Sequence, residues 1–139
     1  MDQRISELMT RDPVSVPATA SILEVARAMR DSDIGTVVVL ENGKVYGIVT
    51  DRDIVVRAIA QRHDLATTKL RDICSHDLTT LAPTDTVEHA VKVMRDKAIR
   101  RLPVVESGKP VGIVSLGDLA VEREPDSALG DISAAPANR

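Results

Sequence analysis

Gly47-Ile-Val-Thr-Asp-Arg-Asp53 returns as Gly112-Ile-Val-Ser-Leu-Gly-Asp118, at an offset of sixty-five residues. Each copy reads as a buried strand (Ile48 and Val49; Ile113 and Val114) that runs through a hydroxyl residue into a helix. Glycine leads the strand, and an acid stands three places after the hydroxyl. The offset holds on both sides without a gap. Met29-Arg-Asp31 returns as Met94-Arg-Asp96, Ile34 as Ile99, and Glu41, Gly43 and Lys44 as Glu106, Gly108 and Lys109. Upstream, Asp12 and Thr19 return as Asp77 and Thr84, while Leu8 is answered by Ile73, Ser15 by Thr80 and Arg27 by Lys92. One unit has been built twice.

Within the first copy, Ile5 to Met9 reads as one helical turn, and Val14-Ser-Val16 as a short strand closed by Pro17. Ser21-Ile-Leu-Glu24 has the form of a capping box. Behind it Ile22, Val25, Ala26 and Met29 line one face of an amphipathic helix, which Asp33-Ile-Gly35 stops. Thr36 to Leu40 is an unbroken apolar run after its first residue, the pattern of a strand buried on both faces. Glu41-Asn-Gly-Lys44 is a hairpin turn, and Val45 to Val49 is the returning strand. Asp53 to Gln61 predicts a helix that buries Ile54, Val55, Ala58 and Ile59. In the second copy Asp85-Thr-Val-Glu88 predicts the cap of a helix carrying Val87, Val91 and Met94. A second hairpin turns at Ser107-Gly108, and a last helix runs from Gly117 until Glu122-Arg-Glu-Pro125 ends it.

The predicted organisation is α/β: a βαββα repeat over 5–62, a connector over 63–69, a second repeat over 70–124, and a mostly mobile C-terminal tail over 125–139. A repeat of this size buries too little apolar surface to stand comfortably alone. The two should therefore pack sheet against sheet about a pseudo-twofold axis, with two equivalent grooves bordered by the repeated corner.

Composition narrows the function. Of 139 residues 43% are hydrophobic and 28% charged, as in a soluble globular protein, but only 1% are aromatic, Tyr46 alone. A net charge of −3 argues against a general nucleic-acid binder, which needs a basic face. No apolar run reaches the length of a membrane span and no secretory pattern opens the chain. The single cysteine, Cys74, cannot pair internally, so a reducing cytoplasm is the simplest setting. His63, His76 and His89 lack metal-ligand spacing, so no metal site is expected. No nucleophile–base order and no phosphate-cradling glycine loop points to an enzyme.

The pattern resembles a tandem pair of cystathionine-β-synthase (CBS) domains, a Bateman module. The resemblance is carried by Ile34-Gly-Thr-Val-Val-Val39 with Gly47 to Asp53, and by Ile99-Arg-Arg-Leu-Pro-Val-Val105 with Gly112 to Asp118. It covers roughly residues 5 to 124. What it implies is a regulatory module, often a homodimer, that binds adenosine-type ligands such as AMP, ATP or S-adenosylmethionine in the clefts between repeats and needs no cofactor. By resemblance, Thr50 with Asp53, and Ser115 with Asp118, would hold a ribose. The base would be gripped by the opposite repeat: Asp12, Val14, Ile34 and Gly35 for the Ser115/Asp118 cleft, and Asp77, Thr79, Ile99 and Arg100 for the Thr50/Asp53 cleft. Phosphate contacts would fall to Arg100 and Arg101, with Arg52 as a substitute in the first repeat, where Gly35 and Thr36 stand at the basic positions.

Other readings stand beside these. A hydroxyl followed three places later by an acid at a helix start is also a helix cap. Arg100 and Arg101 also suit a solvated pair or partners for Asp96 or Glu106, and Cys74 an idle buried thiol. The chain as a whole reads first as a cytoplasmic ligand sensor that acts on an unknown downstream protein. The alternative is a ligand-free dimerisation scaffold acting through its surfaces, and a third reading is a nucleotide hydrolase or transferase.

Overall fold

The structure, a computed structural model, describes residues 3–74 and 78–123. The expected tail over 125–139, together with Asp77 and His76, lies outside the described residues. In chain order the elements are a 3-10 turn Ile5–Glu7, β1 (Thr10–Arg11), β2 (Ser15–Pro17), α1 (Ile22–Ser32), β3 (Thr36–Glu41), β4 (Lys44–Thr50), α2 (Asp51–Asp53, continuing as π-helix over Ile54–Ile59), a 3-10 turn Leu70–Asp72, α3 (Val87–Lys97), β5 (Arg101–Glu106), β6 (Lys109–Ser115) and α4 (Leu116–Arg123). The chain is α/β, and it carries the two-repeat plan read from its sequence.

One compact unit comprises Pro13–Leu78 with Ser107–Pro110. At its centre β3 runs parallel to β2 and antiparallel to β4, with Ser15 opposite Val38 and Thr36 opposite Thr50. Val37, Val38 and Val39 are wholly buried, as their unbroken apolar run requires. The β3–β4 hairpin turns through Asn42 and Gly43 at φ 54° and 77°, the paired positive angles of a type I′ turn. α1 starts where the Ser21 hydroxyl accepts the Glu24 N–H (3.1 Å) and stops at Asp33, which takes the left-handed conformation (φ 54°). Its buried side, Ile22, Val25 and Met29, packs with Val37, Val39 and Val49 into one aliphatic core.

The other unit comprises, among the described residues, 3–12, 79–106 and 111–123, and its sheet runs β1-β6-β5. Its core gathers Val87, Ala90, Met94, Leu102, Val104, Val114 and Leu119. Gly112 is where β1 crosses β6 with no room to spare. A Cβ there would stand 2.9 Å from the Thr10 carbonyl and 2.5 Å from Met9 Sδ.

The compact units cut across the sequence repeats at their leading turns. Ile5 and Met9 are buried in the core that holds the second repeat, where the Ile5 N–H donates to the Asp85 carbonyl (2.8 Å). Leu70 and Cys74, their counterparts at the repeat offset, are buried with Ile73 in the core that holds the first. There the Leu70 N–H donates to the Ala20 carbonyl (3.0 Å).

Two local expectations are corrected. The cap of α3 is Thr86, whose hydroxyl accepts the His89 N–H (3.1 Å). Asp85 instead accepts the Ala82 N–H (2.8 Å). The helix expected over 53–61 becomes π-helical from Ile54, with the Ala60 N–H bonded to the Val55 carbonyl (3.0 Å). A wider turn shifts the apolar stripe out of alignment with a 3.6-residue period. Ile54 and Ala58 face the core, while Val55 and Ile59, expected inside, are 57% and 53% exposed.

Candidate functional site: two repeated corners

β4 ends and α2 begins at Thr50, and the corner between them is closed by two reciprocal bonds. The Thr50 N–H donates to Asp53 Oδ2 (2.9 Å), and the Asp53 N–H donates to Thr50 Oγ1 (3.1 Å). The second copy repeats this with the same distances: Ser115 N–H to Asp118 Oδ2 (2.9 Å) and Asp118 N–H to Ser115 Oγ (3.1 Å). Both pairs are therefore helix caps, with Asp at the place usually held by Glu or Gln. The capping uses one oxygen of each carboxylate. The other keeps its lone pairs for further bonds, and in Asp53 it lies 3.6 Å from Arg57 Nε. All four side chains are half-buried, a setting in which an outside hydroxyl can still reach them.

The strand register decides what stands beside each corner. Thr36 lies opposite Thr50, and the Asp51 N–H donates to the Gly35 carbonyl (2.9 Å). Val14, whose carbonyl accepts the Val38 N–H (2.9 Å), enters the same sheet from the same end. Val14, Ile34 and Gly35 thus share a unit with Thr50 and Asp53. In the other unit the Leu116 N–H donates to the Arg100 carbonyl (2.8 Å), so Ile99, Arg100 and Arg101 share a sheet end with Ser115 and Asp118, and half-buried Thr79 belongs to that unit too. Within the units, each set stands by the corner of its own repeat, because an antiparallel hairpin returns the end of its second strand to the start of its first. Asp12 is the exception. It follows β1, which pairs with β6 at Gly112, and is exposed at φ 52°.

Arg52, Arg100 and Arg101 are exposed, and among the described residues none of the three makes an ion pair. Asp51 is the residue that sequence reasoning missed. Its carboxylate leans against Gly35, where a Cβ would stand 2.9 Å from Oδ2. The signal was in the repeat itself, which sets Leu116 where the first copy has Asp51. Behind the first corner, burial pushes the Cys74 thiol above its ordinary range, and Tyr46 packs against the same core. Among the described residues no cluster of His, Cys, Asp or Glu could hold a metal ion, and no helix is long and apolar enough to cross a membrane.

Two strand–turn–helix corners of one geometry mark a module built from two copies of one unit. The CBS domain model matches residues 5–59 and again 70–123, and the chain belongs to the CBS domain family. It is 36% identical to the CBS domain-containing protein YhcV of Bacillus subtilis over 126 residues, which span 91% of this chain and 89% of that one. Among solved structures it is similar to the hexameric CBS-CP12 protein from bloom-forming cyanobacteria (26% identity, TM-score 0.78, covering 90% of this chain and 74% of that one). It also shares its fold with the CBS domain pair of protein MJ0100, solved in complex with 5-methylthioadenosine and S-adenosyl-L-methionine (24% identity, TM-score 0.77, covering 86% and 94%).

Proposed function

We propose that this chain is a cytoplasmic, non-enzymatic ligand sensor that binds an adenine nucleotide or related adenosyl compound at its repeated corners. The observation that carries the reading is the identical closure of Thr50/Asp53 and Ser115/Asp118, which presents one carboxylate oxygen at the same point of each repeat. A carboxylate so held can accept bonds from two neighbouring ribose hydroxyls, while the cap prevents it from swinging away. Val14, Ile34 and Gly35 in one unit, and Thr79, Ile99 and Arg100 in the other, supply the aliphatic and backbone surface for a base; Asp12 and Asp77 remain candidates by resemblance. Arg100 and Arg101 are the candidate phosphate contacts, with Arg52 as the counterpart in the first repeat. The bound adenosyl ligands of the MJ0100 pair support the ligand class. A ligand that prefers one arrangement of the module would shift its population and so signal to a protein partner.

Thermal unfolding with AMP, ATP and S-adenosylmethionine tests the reading. Ligand at about a hundred times its dissociation constant stabilises the fold by about 2.7 kcal/mol. Asp53→Asn and Asp118→Asn keep an oxygen for the cap but lose the charge. Both together should lower affinity by roughly tenfold or more. Unchanged affinity in the double variant would remove the ribose role.

The scaffold reading draws on a different observation, the exposed Val55, Val56 and Ile59 on the π-helical turn. It predicts no thermal shift with any adenosyl compound, and a homodimer or larger assembly by light scattering that Val55→Lys with Ile59→Lys dissociates.

A further inference from the structure

The corners share their hydroxyl and acid but differ in charge at four positions, where Gly35, Thr36, Asp51 and Arg52 answer Arg100, Arg101, Leu116 and Gly117, and two of the four form a hydrogen-bonded pair. The pair is Gly35 with Asp51 in the first copy and Arg100 with Leu116 in the second, equivalent at the repeat offset. The backbone geometry is the same in both, with Asp51 N–H on the Gly35 carbonyl at 2.9 Å and Leu116 N–H on the Arg100 carbonyl at 2.8 Å. The pair is therefore adjacent in each unit. In the first copy the Asp51 carboxylate fills the room that a side chain at position 35 would need, and its Oδ1 is steadied by the Arg52 N–H (2.8 Å). In the second, Leu116 brings no charge, and Arg100 makes no ion pair among the described residues. At this pair the first copy thus carries a carboxylate and the second a guanidinium.

The geometry points to Asp51 as the residue that sets ligand charge, making the first corner refuse phosphate and take an uncharged or cationic adenosyl compound, while the second corner takes a phosphorylated one. This rests on the proposed function and departs from it at one residue, since Arg52 then holds no phosphate. Two like charges about 4 Å apart repel even where the carboxylate is exposed, as Asp51 is, and solvent screening holds the effect to a several-fold preference between ligands. The other cations near the first corner do not cancel Asp51 at this spot. Arg57 faces Asp53, and Arg52 contributes its backbone N–H while its exposed side chain forms no ion pair among the described residues.

Calorimetric titration of the full chain with adenosine and with AMP tests it. The unaltered protein should bind adenosine at two sites and AMP tightly at one. Asp51→Asn, which keeps the acceptor for the Arg52 N–H, should tighten AMP at the weak site by roughly fivefold and leave adenosine within about twofold. Arg100→Gly should weaken AMP at the tight site to a similar degree. If AMP fills both sites equally before any substitution, or Arg52→Ala empties the first site of AMP, or Asp51→Asn changes nothing, the inference falls while the sensor reading stands. If neither adenosine nor AMP binds, the sensor reading falls and takes the inference with it.

Discussion

The central strand of the first repeat reads Val37-Val38-Val39, and its counterpart reads Leu102-Pro103-Val104. One imino acid separates the two sheets. The Val38 N–H donates to the Val14 carbonyl (2.9 Å), and β2 runs beside β3 as a three-residue parallel strand. Pro103 has no N–H to give. On its side the ladder shrinks to a single parallel bridge, Leu81 with Val104, held by the Leu81 N–H on the Pro103 carbonyl (3.0 Å) and the Val105 N–H on the Leu81 carbonyl (2.8 Å). The repeat plan therefore specifies a strand pairing that only one copy realises in full. The lesson is that equivalent positions do not carry equal weight.

Placing proline in the first sheet should break this comparison with the largest effect. Val38→Pro removes a buried ladder bond, leaves the Val14 carbonyl without its donor and vacates packing volume, together costing roughly 3 kcal/mol or more. Pro103→Val adds a donor to a sheet already arranged without it and should stay within about 1 kcal/mol of the unaltered protein. Urea unfolding measures both. Similar losses for the two variants would show that β2 contributes no more than the isolated bridge.

The seam at β1 gives the next largest effect. Gly112→Ala forces a methyl group against the Thr10 carbonyl and Met9 Sδ, and overpacking of this kind costs about 1–3 kcal/mol. Gly43 is the contrast, because nothing lies within 4 Å of a Cβ there and the cost comes from its φ of 77° alone. Gly43→Ala should lose about 1 kcal/mol. If thermal unfolding ranks the two the other way, β1 is less tightly seated than its geometry states.

What the sequence disclosed follows the range over which its signals act. Hairpins, caps and the buried β3 are set by residues within a few positions of one another, so Asn42-Gly43, Ser21 and Val37 to Val39 were legible. So was the Thr50-x-x-Asp53 corner, although its two readings, cap and ribose site, share the same atoms and only the cap is a matter of local geometry. The seating of Ile5 against Asp85 was not legible, since that bond joins segments eighty residues apart. Nor was the exposure of Val55 and Ile59, because periodicity assumes a helix of constant pitch. Asp51 was visible as a letter, but its meaning depends on contact with Gly35, which only the antiparallel return of β4 creates.

The smallest effect separates the two cores by titration. Cys74 is buried in the first, and its counterpart in the second is Met9, which carries no proton. Burial is the main cause that raises the Cys74 thiol above its ordinary value of 9.0, with the nearby Asp53 carboxylate adding to it. The unfolded chain, lacking that burial, gives up the proton first as pH rises. It then binds fewer protons than the folded chain, and stability falls with pH. The contribution is complete below about pH 9 and declines through the folded thiol's higher range. Unfolding free energies from urea titrations between pH 7.5 and 9.5 should therefore drift down by under about 1 kcal/mol. Cys74→Ala should start lower, from its lost packing, and stay flatter over the same window. Parallel slopes in the two proteins would mean that the thiol titrates freely in the folded chain, and that the first core is looser around Cys74 than its burial states.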